Sequence, residues 1–90
     1  MAEVAMLTQV KSDMGITSNA HDDKLNGLIS EVTRYMKSAG LSDEKINNSV
    51  GVVSRGVSDL FYNLTDYSPY FYNALTQLKL ESEVDRYDNL

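Results

Sequence analysis

The chain carries its longest regular pattern between Val50 and Leu78, where apolar residues recur every three or four positions. This spacing is the period of a helix, because a strand would alternate apolar and polar residues. The pattern is interrupted at Ser68-Pro69, and a proline, which lacks an N–H, is well tolerated at the first position of a new helix. The stretch therefore predicts two successive helices, each with one apolar side to bury.

The rest of the chain shows the same period, so the sequence predicts four helices and no strands. Residues that favour N-caps and helix ends mark their limits. The predicted helices cover about residues 9–14, 20–39, 43–62 and 69–80, with Thr8, Ser18 or Asn19, Ser42 and Ser68 as N-caps and Gly15 and Gly40 as C-terminal stops. The expected fold is all-α: a small four-helix bundle with a short first helix, two longer central helices and a C-terminal helix.

The predicted core consists of one apolar stripe on each of the three longer helices. Its members are Leu25, Leu28, Ile29, Val32 and Met36, then Ile46, Val50, Val53, Val57, Leu60 and Leu64, and finally Phe71, Leu75 and Leu78. Because each stripe covers only one side of its helix, the helices must pack on one another. We expect a single helical domain over residues 1–90. Residues 1–5 should form a leader, and the polar segment 81–90 a flexible tail.

The composition argues against several classes of protein. The chain has no cysteine, which excludes disulfides and thiolate metal sites. No run approaches the roughly 20 apolar residues of a membrane span, and the N-terminal residues lack the features of a secretory signal. The net charge of −5, from 8 Lys+Arg against 13 Asp+Glu, disfavours tight electrostatic binding to DNA or to anionic membranes.

No site for chemistry is predicted. His21 is the only histidine, and without cysteines it lacks the further ligands of a zinc site, so we expect it to be solvated or to cap a helix. The adjacent Asp22 and Asp23 point in different directions on a helix and suit its positive N-terminal end. The chain has no nucleophile–base pair and no glycine-rich phosphate loop. We therefore expect no catalytic residue, no metal, no cofactor and no enzymatic activity.

The candidates for an interaction surface are four tyrosines and one arginine: Tyr62, Tyr67, Tyr70, Tyr72 and Arg55. Tyrosine and arginine are enriched among the residues that dominate protein–protein binding. The alternative is that the tyrosines only cover a core of Phe61 and Phe71. At least one of Tyr70 and Tyr72 should face outward, because they flank Phe71 and neighbours on a helix cannot share a face.

Two further features of the predicted third helix each have two interpretations. Arg55 either serves its own chain only, as a solvated charge or paired with an acid such as Asp59, or it forms an ion pair between subunits. Gly51 and Gly56 each cost about 1 kcal/mol of helix propensity relative to alanine. They indicate either a close helix–helix approach or bend, or simple tolerance of glycine.

Four segments, taken in order, carry a resemblance to a known family. They are Met6-Leu7-Thr8 with Val10-Lys11 and Gly15-Ile16, then Asp22-Asp23 before Leu25, Leu28 and Ile29, then Val52 to Leu60, and last Ser68-Pro69-Tyr70-Phe71 with Gln77-Leu78. Together they span nearly all of residues 6–80. In this order and length they resemble the head–tail connector proteins of tailed bacteriophages, the small helical adaptors that bind below the portal.

The resemblance implies a structural protein that assembles as a ring on the portal with cyclic symmetry. Such a ring extends the DNA channel and offers a docking face to the next head–tail joining protein. The implied partners are further copies of the chain, the portal and that joining protein. DNA would pass through without specific binding, since an acidic channel wall repels it. The implied location is the head–tail junction of the virion, after assembly in the host cytoplasm.

Two alternatives stay open from the residues alone. A DNA-binding helix-turn-helix protein would need a basic recognition helix. The third helix offers only Lys45 and Arg55, against the acids Asp43, Glu44 and Asp59. The second alternative is a small helical adaptor that binds another protein without forming a ring. No feature of the sequence argues against it. Size in solution separates that adaptor from a connector.

Overall fold

The computed structural model describes residues 2–62 and 66–88, with side chains described for residues 6–62 and 66–81. Every regular element in this part of the chain is a helix, which confirms the all-α class. The helices are α1 (Ala2–Met14), α2 (Asp22–Ser38), α3 (Asp43–Asn47), α4 (Val50–Phe61) and α5 (Pro69–Asp88). The helices α1, α2 and α4 pack against one another, and α5 packs on α4. Within the described ranges, no helix combines the length and hydropathy that a bilayer crossing requires.

The predicted third helix is divided into α3 and α4, so that the described residues form five helices rather than four. The break falls at Asn48 and Ser49, where ψ is 0° at Asn48 and φ is −127° at Ser49. Asparagine and serine side chains compete with the helix for backbone hydrogen bonds. The apolar period continues across this point, which is why it predicts one helix where the chain forms two.

The first and last helices are longer than predicted. α1 begins at Ala2, so Thr8 lies inside it rather than at its N-cap, and it includes residues 2–5 of the expected leader. Burial of Met6 and Val10 accounts for the extension, since tertiary packing supplies most helix stability. α5 does not fade near Leu80 but continues to Asp88, through a segment that contains neither Gly nor Pro, the two residues most unfavourable in a helix. Flexibility of the tail stays a prediction, and residues 89–90 lie outside the described ranges.

Two predicted caps are confirmed. The backbone N–H of Lys45 donates to Ser42 Oγ (3.1 Å), and that of Phe71 donates to Ser68 Oγ (3.3 Å). The two predicted stops are confirmed as well, because Gly15 and Gly40 have φ angles of +73° and +104°. These left-handed conformations are easy only for glycine.

The start of α2 differs from the prediction, because His21 rather than Ser18 or Asn19 takes the N-cap position. Ser18 Oγ accepts a hydrogen bond from the N–H of Ala20 (3.0 Å), and Asn19 Oδ1 accepts one from Lys11 Nζ (2.9 Å). Both side chains therefore stabilise the turn before the helix. Lys11 Nζ also lies 2.8 Å from Asp22 Oδ1, which connects α1 to the first turn of α2.

The core forms largely from the predicted stripes. Its buried apolar residues are Met6 and Val10 from α1, Leu25, Ile29, Val32 and Met36 from α2, Leu41 and Ile46, Val53 and Val57 from α4, and Phe71, Leu75 and Leu78 from α5. Leu28, Val50 and Leu60 are only partly buried at its edge. Leu64 lies outside the described residues.

Gly56 marks a close approach between three helices. A Cβ atom at this position would lie 2.7 Å from a ring carbon of Phe71 and 2.9 Å from a methyl group of Val32. These distances are too short for a real side chain, so the lack of one lets α5 and α2 meet α4 here. Gly51 differs, because a Cβ atom there meets nothing within 4 Å. The structure thus supports close approach at Gly56 and simple tolerance at Gly51.

A polar contact fixes α1 on α4. Ser54 is the one buried polar residue among the described side chains, and its Oγ donates a hydrogen bond to Asp13 Oδ2 at 2.7 Å. Asp13 Oδ1 accepts a second hydrogen bond from Gln9 Nε2 at 2.9 Å. A hydrogen bond to a charged acceptor is worth about 1.5–3 kcal/mol. This contact therefore sets the position of α1 along α4 as well as stabilising it.

Replacing Gly56 with alanine should lower the free energy of unfolding by about 1–3 kcal/mol, the usual cost of an overpacked core. The added methyl group would need the space that Phe71 and Val32 occupy. Thermal or urea unfolding followed by circular dichroism measures the change. Gly51→Ala is the matched control on the same helix, and it should gain up to about 1 kcal/mol of stability. Equal effects at the two positions would contradict the close approach.

Candidate interaction surface

An aromatic cluster lies at the start of α5, with Phe71 at its centre. Phe71 is fully buried, as predicted. The ring of Tyr67 stacks on it with 4.3 Å between ring centroids, and the centroids of Tyr35 and Tyr72 lie 6.2 and 6.0 Å from it. Aromatic pairs of this kind are each worth about 0.5–1.5 kcal/mol beyond the area they bury. This inner cluster (Tyr35, Tyr67, Phe71 and Tyr72) attaches the start of α5 to α2.

Tyr35 is a member of the cluster that the sequence did not reveal. It lies three positions after Val32 and beside Met36, at the edge of the apolar stripe of α2, and it is 38% exposed. A tyrosine at the edge of a stripe is a weak signal on its own. Its pairing with Tyr67, at 5.0 Å between ring centroids, arises only when α2 and the segment before α5 meet in the fold.

A hydrogen-bond network around Asp66 holds the inner cluster in place. The hydroxyl of Tyr72 donates to Asp66 Oδ1 at 2.6 Å, and the backbone N–H of Tyr67 donates to the same oxygen at 2.7 Å. The hydrogen bond from Tyr72, followed by that from Tyr67, lowers the pKa of the Asp66 carboxyl. The same bond, followed by burial, raises the pKa of Tyr72 to about 12. Burial, with smaller contributions led by Glu31, raises the pKa of Tyr67 to about 12.

Tyr62, Tyr70 and Arg55 are the exposed candidates, and we refer to these three residues together as the outer patch. Tyr70 is 71% exposed and Tyr62 is 59% exposed. The Arg55 guanidinium carbon lies 5.6 Å from the centre of the Tyr70 ring, within the range of a cation–π contact. The outward position of Tyr70 beside buried Phe71 agrees with the prediction that one of the tyrosines flanking Phe71 faces outward.

Arg55 contacts Tyr70 rather than the acid considered from the sequence. The Asp59 carboxylate accepts a hydrogen bond from the backbone N–H of Ser68 at 2.9 Å. Among the described residues, Arg55 has no carboxylate within salt-bridge distance. The structure therefore places the predicted candidates in two groups. Tyr67 and Tyr72 belong to the inner cluster, whereas Tyr62, Tyr70 and Arg55 point to solvent.

A shallow groove that no local pattern in the sequence indicates lies between α1, α2 and α3. Its floor is formed by the buried side chains of Met6, Ile29 and Ile46, and its volume is about 170 Å³. The rim carries the ion pair of Lys37 and Asp43, whose Nζ and Oδ1 atoms lie 3.0 Å apart. Ser30, Thr33 and Asn47 complete its lining. We refer to this feature as the α1–α3 groove.

No metal-binding arrangement is present among the described side chains, because no three His, Cys, Asp or Glu residues come together there. His21 is exposed, and its ring meets Phe61 edge-on at 5.4 Å between centroids. Asp22 pairs with Lys11, and Asp22 and Asp23 both lie in the first turn of α2. These groups therefore serve the start of α2, as their sequence positions indicate.

The stability of the protein should fall as the pH rises from about 10 to about 12. Tyrosines whose folded pKa lies above the ordinary value of 10.0 contribute stability that is complete below that value and is lost through the folded pKa. Tyr72→Phe cannot ionise and should make this fall shallower. Urea unfolding at a series of alkaline pH values measures it. Tyr62→Phe, whose ring contacts Phe61 instead, is the control, and an unchanged slope in Tyr72→Phe would refute the role of the hydrogen bond to Asp66.

Comparison with known proteins identifies the family. The model of the phage gp6-like head-tail connector protein family matches residues 4–64. This segment is about two-thirds of the chain and contains α2, α3 and α4 entirely, whereas α5 lies beyond it. No curated protein and no solved structure gives a significant match. The family that the sequence segments resemble is thereby confirmed, and the chain belongs to the phage gp6-like head–tail connector proteins.

Proposed function

We propose that this protein is a structural head–tail connector subunit that assembles as a ring on the portal. The ring extends the DNA channel and offers a docking face to the next tail-joining protein. The single observation that carries the proposal is the family match over residues 4–64. The family is structural rather than enzymatic, and a connector is a component of the virion. Assembly of the ring in the host cytoplasm, before it joins the virion, is part of the proposal.

The outer patch supports a role in assembly. Exposed tyrosines and arginines are typical of the residues that contribute most to protein–protein binding. Tyr62 and Tyr70 are both more than half exposed, although each carries a large apolar ring. In our proposal the outer patch meets another protein chain. The inner-cluster residues Tyr67 and Tyr72, also candidates from the sequence, support it from below through their contacts with Phe71.

The charge of the chain supports passage of DNA without binding. The net charge is −5, and a ring multiplies this charge around its channel. Among the described helices, α4 offers a single cation, Arg55, which lies against Tyr70. A surface of this kind lacks the basic stripe that holds a phosphate backbone. In the proposed ring, the duplex is therefore repelled by the channel wall and moves through it freely.

A ring should be visible by light scattering coupled to size exclusion, measured at several concentrations with and without the portal protein. The expected species has a mass that is a multiple of the 10.1 kDa monomer, either alone or on the portal. Portal protein without the connector is the control for added mass. A strict monomer that ignores the portal would instead favour the small adaptor that forms no ring.

Binding to duplex DNA should be absent at physiological salt. An electrophoretic mobility shift with a duplex of mixed sequence tests this, with a basic helix-turn-helix protein as the positive control. Electrostatic binding to DNA weakens steeply with salt. A shift by the connector that disappears on addition of salt would therefore count against the proposed function and for the DNA-binding alternative.

A further inference from the structure

A closed ring requires two different surfaces on each subunit, because a head-to-tail contact joins one face of a chain to another face of the next. The described structure has two exposed features that meet this requirement. The outer patch lies on α4 and α5, and the α1–α3 groove lies on α1, α2 and α3. No helix contributes to both, so a single chain can offer the two features to two neighbours at once. This inference rests on the proposed ring.

Tyr70 has the properties of an anchoring residue. It is 71% exposed, so its ring can enter a neighbour without any rearrangement of its own fold. The Arg55 guanidinium lies over one face of that ring, 5.6 Å from its centre. A side chain that is already ordered loses less entropy on binding. The Tyr70 ring and the Arg55 guanidinium are therefore already positioned on the surface before a neighbour binds.

The α1–α3 groove has the size and chemistry to receive an aromatic ring. Its volume of about 170 Å³ compares with the ~150 Å³ of an apolar cavity known to bind benzene. Its floor is apolar, from Met6, Ile29 and Ile46, and its rim is polar. This combination of an apolar floor with a few polar groups is typical of a binding pocket. The hydroxyl of a tyrosine would lie at the rim, beside Ser30, Thr33 and Asn47.

Each feature has one nearby charged residue that is available for an ion pair with another chain. At the groove, Lys37 and Asp43 neutralise each other as an ion pair. Glu44, the next residue on α3, is exposed and has no charged partner among the described residues, which leaves one negative charge beside the groove. At the outer patch, Arg55 has no carboxylate partner in the same part of the chain. Arg55 and Glu44 are thus oppositely charged, and neither forms an ion pair among the described residues.

We propose that the Tyr70 ring of one connector subunit inserts into the α1–α3 groove of the next subunit. The apolar floor of the groove covers the ring, and Arg55 comes to lie near Glu44 and Asp43 at the start of the neighbour's α3. Repetition of this contact around the ring uses one outer patch and one groove from every subunit. The occupant of the groove is therefore a second copy of this chain.

Two variants block the contact from opposite sides. Tyr70→Ala removes the ring, and Ser30→Trp fills the groove from an exposed position on α2. Each should weaken assembly by roughly 30-fold or more, the effect of losing a binding hot spot. Both positions are exposed, so circular dichroism should show unchanged melting. Asn47→Trp, also exposed at the groove, gives a second test if Ser30→Trp perturbs the fold. Leu80→Ala removes another exposed apolar side chain of α5 and should leave assembly intact.

Mixing the two variants gives the sharper test. Tyr70→Ala keeps its groove and Ser30→Trp keeps its Tyr70, so that one contact can form between them but no ring can close. Light scattering should show each variant alone as a monomer of 10.1 kDa and the mixture as a dimer of one copy each. If the subunits instead met through identical faces, the mixture would assemble no further than each variant does alone.

The outcomes separate this inference from the proposed function. If wild type forms rings, alone or on the portal, and both blocking variants form them equally well, the contact is wrong while the connector function stands. If wild type stays monomeric with the portal present, the proposed function is wrong and the contact falls with it. Rings in wild type, their loss in each variant and the dimer in the mixture together establish the contact.

Discussion

The close approach of α4, α2 and α5 at Gly56 is the constraint on which the rest of the described structure depends. Phe71 fits against α4 only because position 56 has no side chain. Once Phe71 is fixed there, Tyr67 stacks on it and Tyr35 and Tyr72 close around it. Neighbouring residues on a helix project in different directions, so burial of Phe71 also turns Tyr70 to solvent. The exposure of Tyr70 is thus a consequence of packing in the core.

Much of this fold follows from the period of apolar residues, because that period reports which side of a helix is buried. It finds Val32 and Val57 in the core, and the turn chemistry of Ser42 and Gly40 gives the ends of helices correctly. The errors have two physical causes, and the apolar period reports neither of them. The period says nothing about backbone competition at Asn48 and Ser49, and nothing about helix residues that are stabilised by distant contacts, as in α1.

The surface was predictable in its residue types and not in its arrangement. Tyrosines and an arginine in one stretch indicate an interaction surface by composition. Which of them point outward depends on the contacts of Phe71, which lie between α5, α4 and α2. The α1–α3 groove has no local signal at all, because Met6, Ile29 and Ile46 are far apart in sequence and meet only in the fold. Each of them individually is an ordinary core residue.

The segment that matches the family ends at residue 64, before Phe71, whose ring packs against Gly56. In this chain, the core therefore extends beyond the segment that matches the family. α5 packs on the segment that matches the family, and Phe71 is the side chain of α5 that lies against Gly56. Without Phe71, the space between Gly56 and Val32 would be left unfilled. Packing of α5 therefore completes the core of the segment that matches the family.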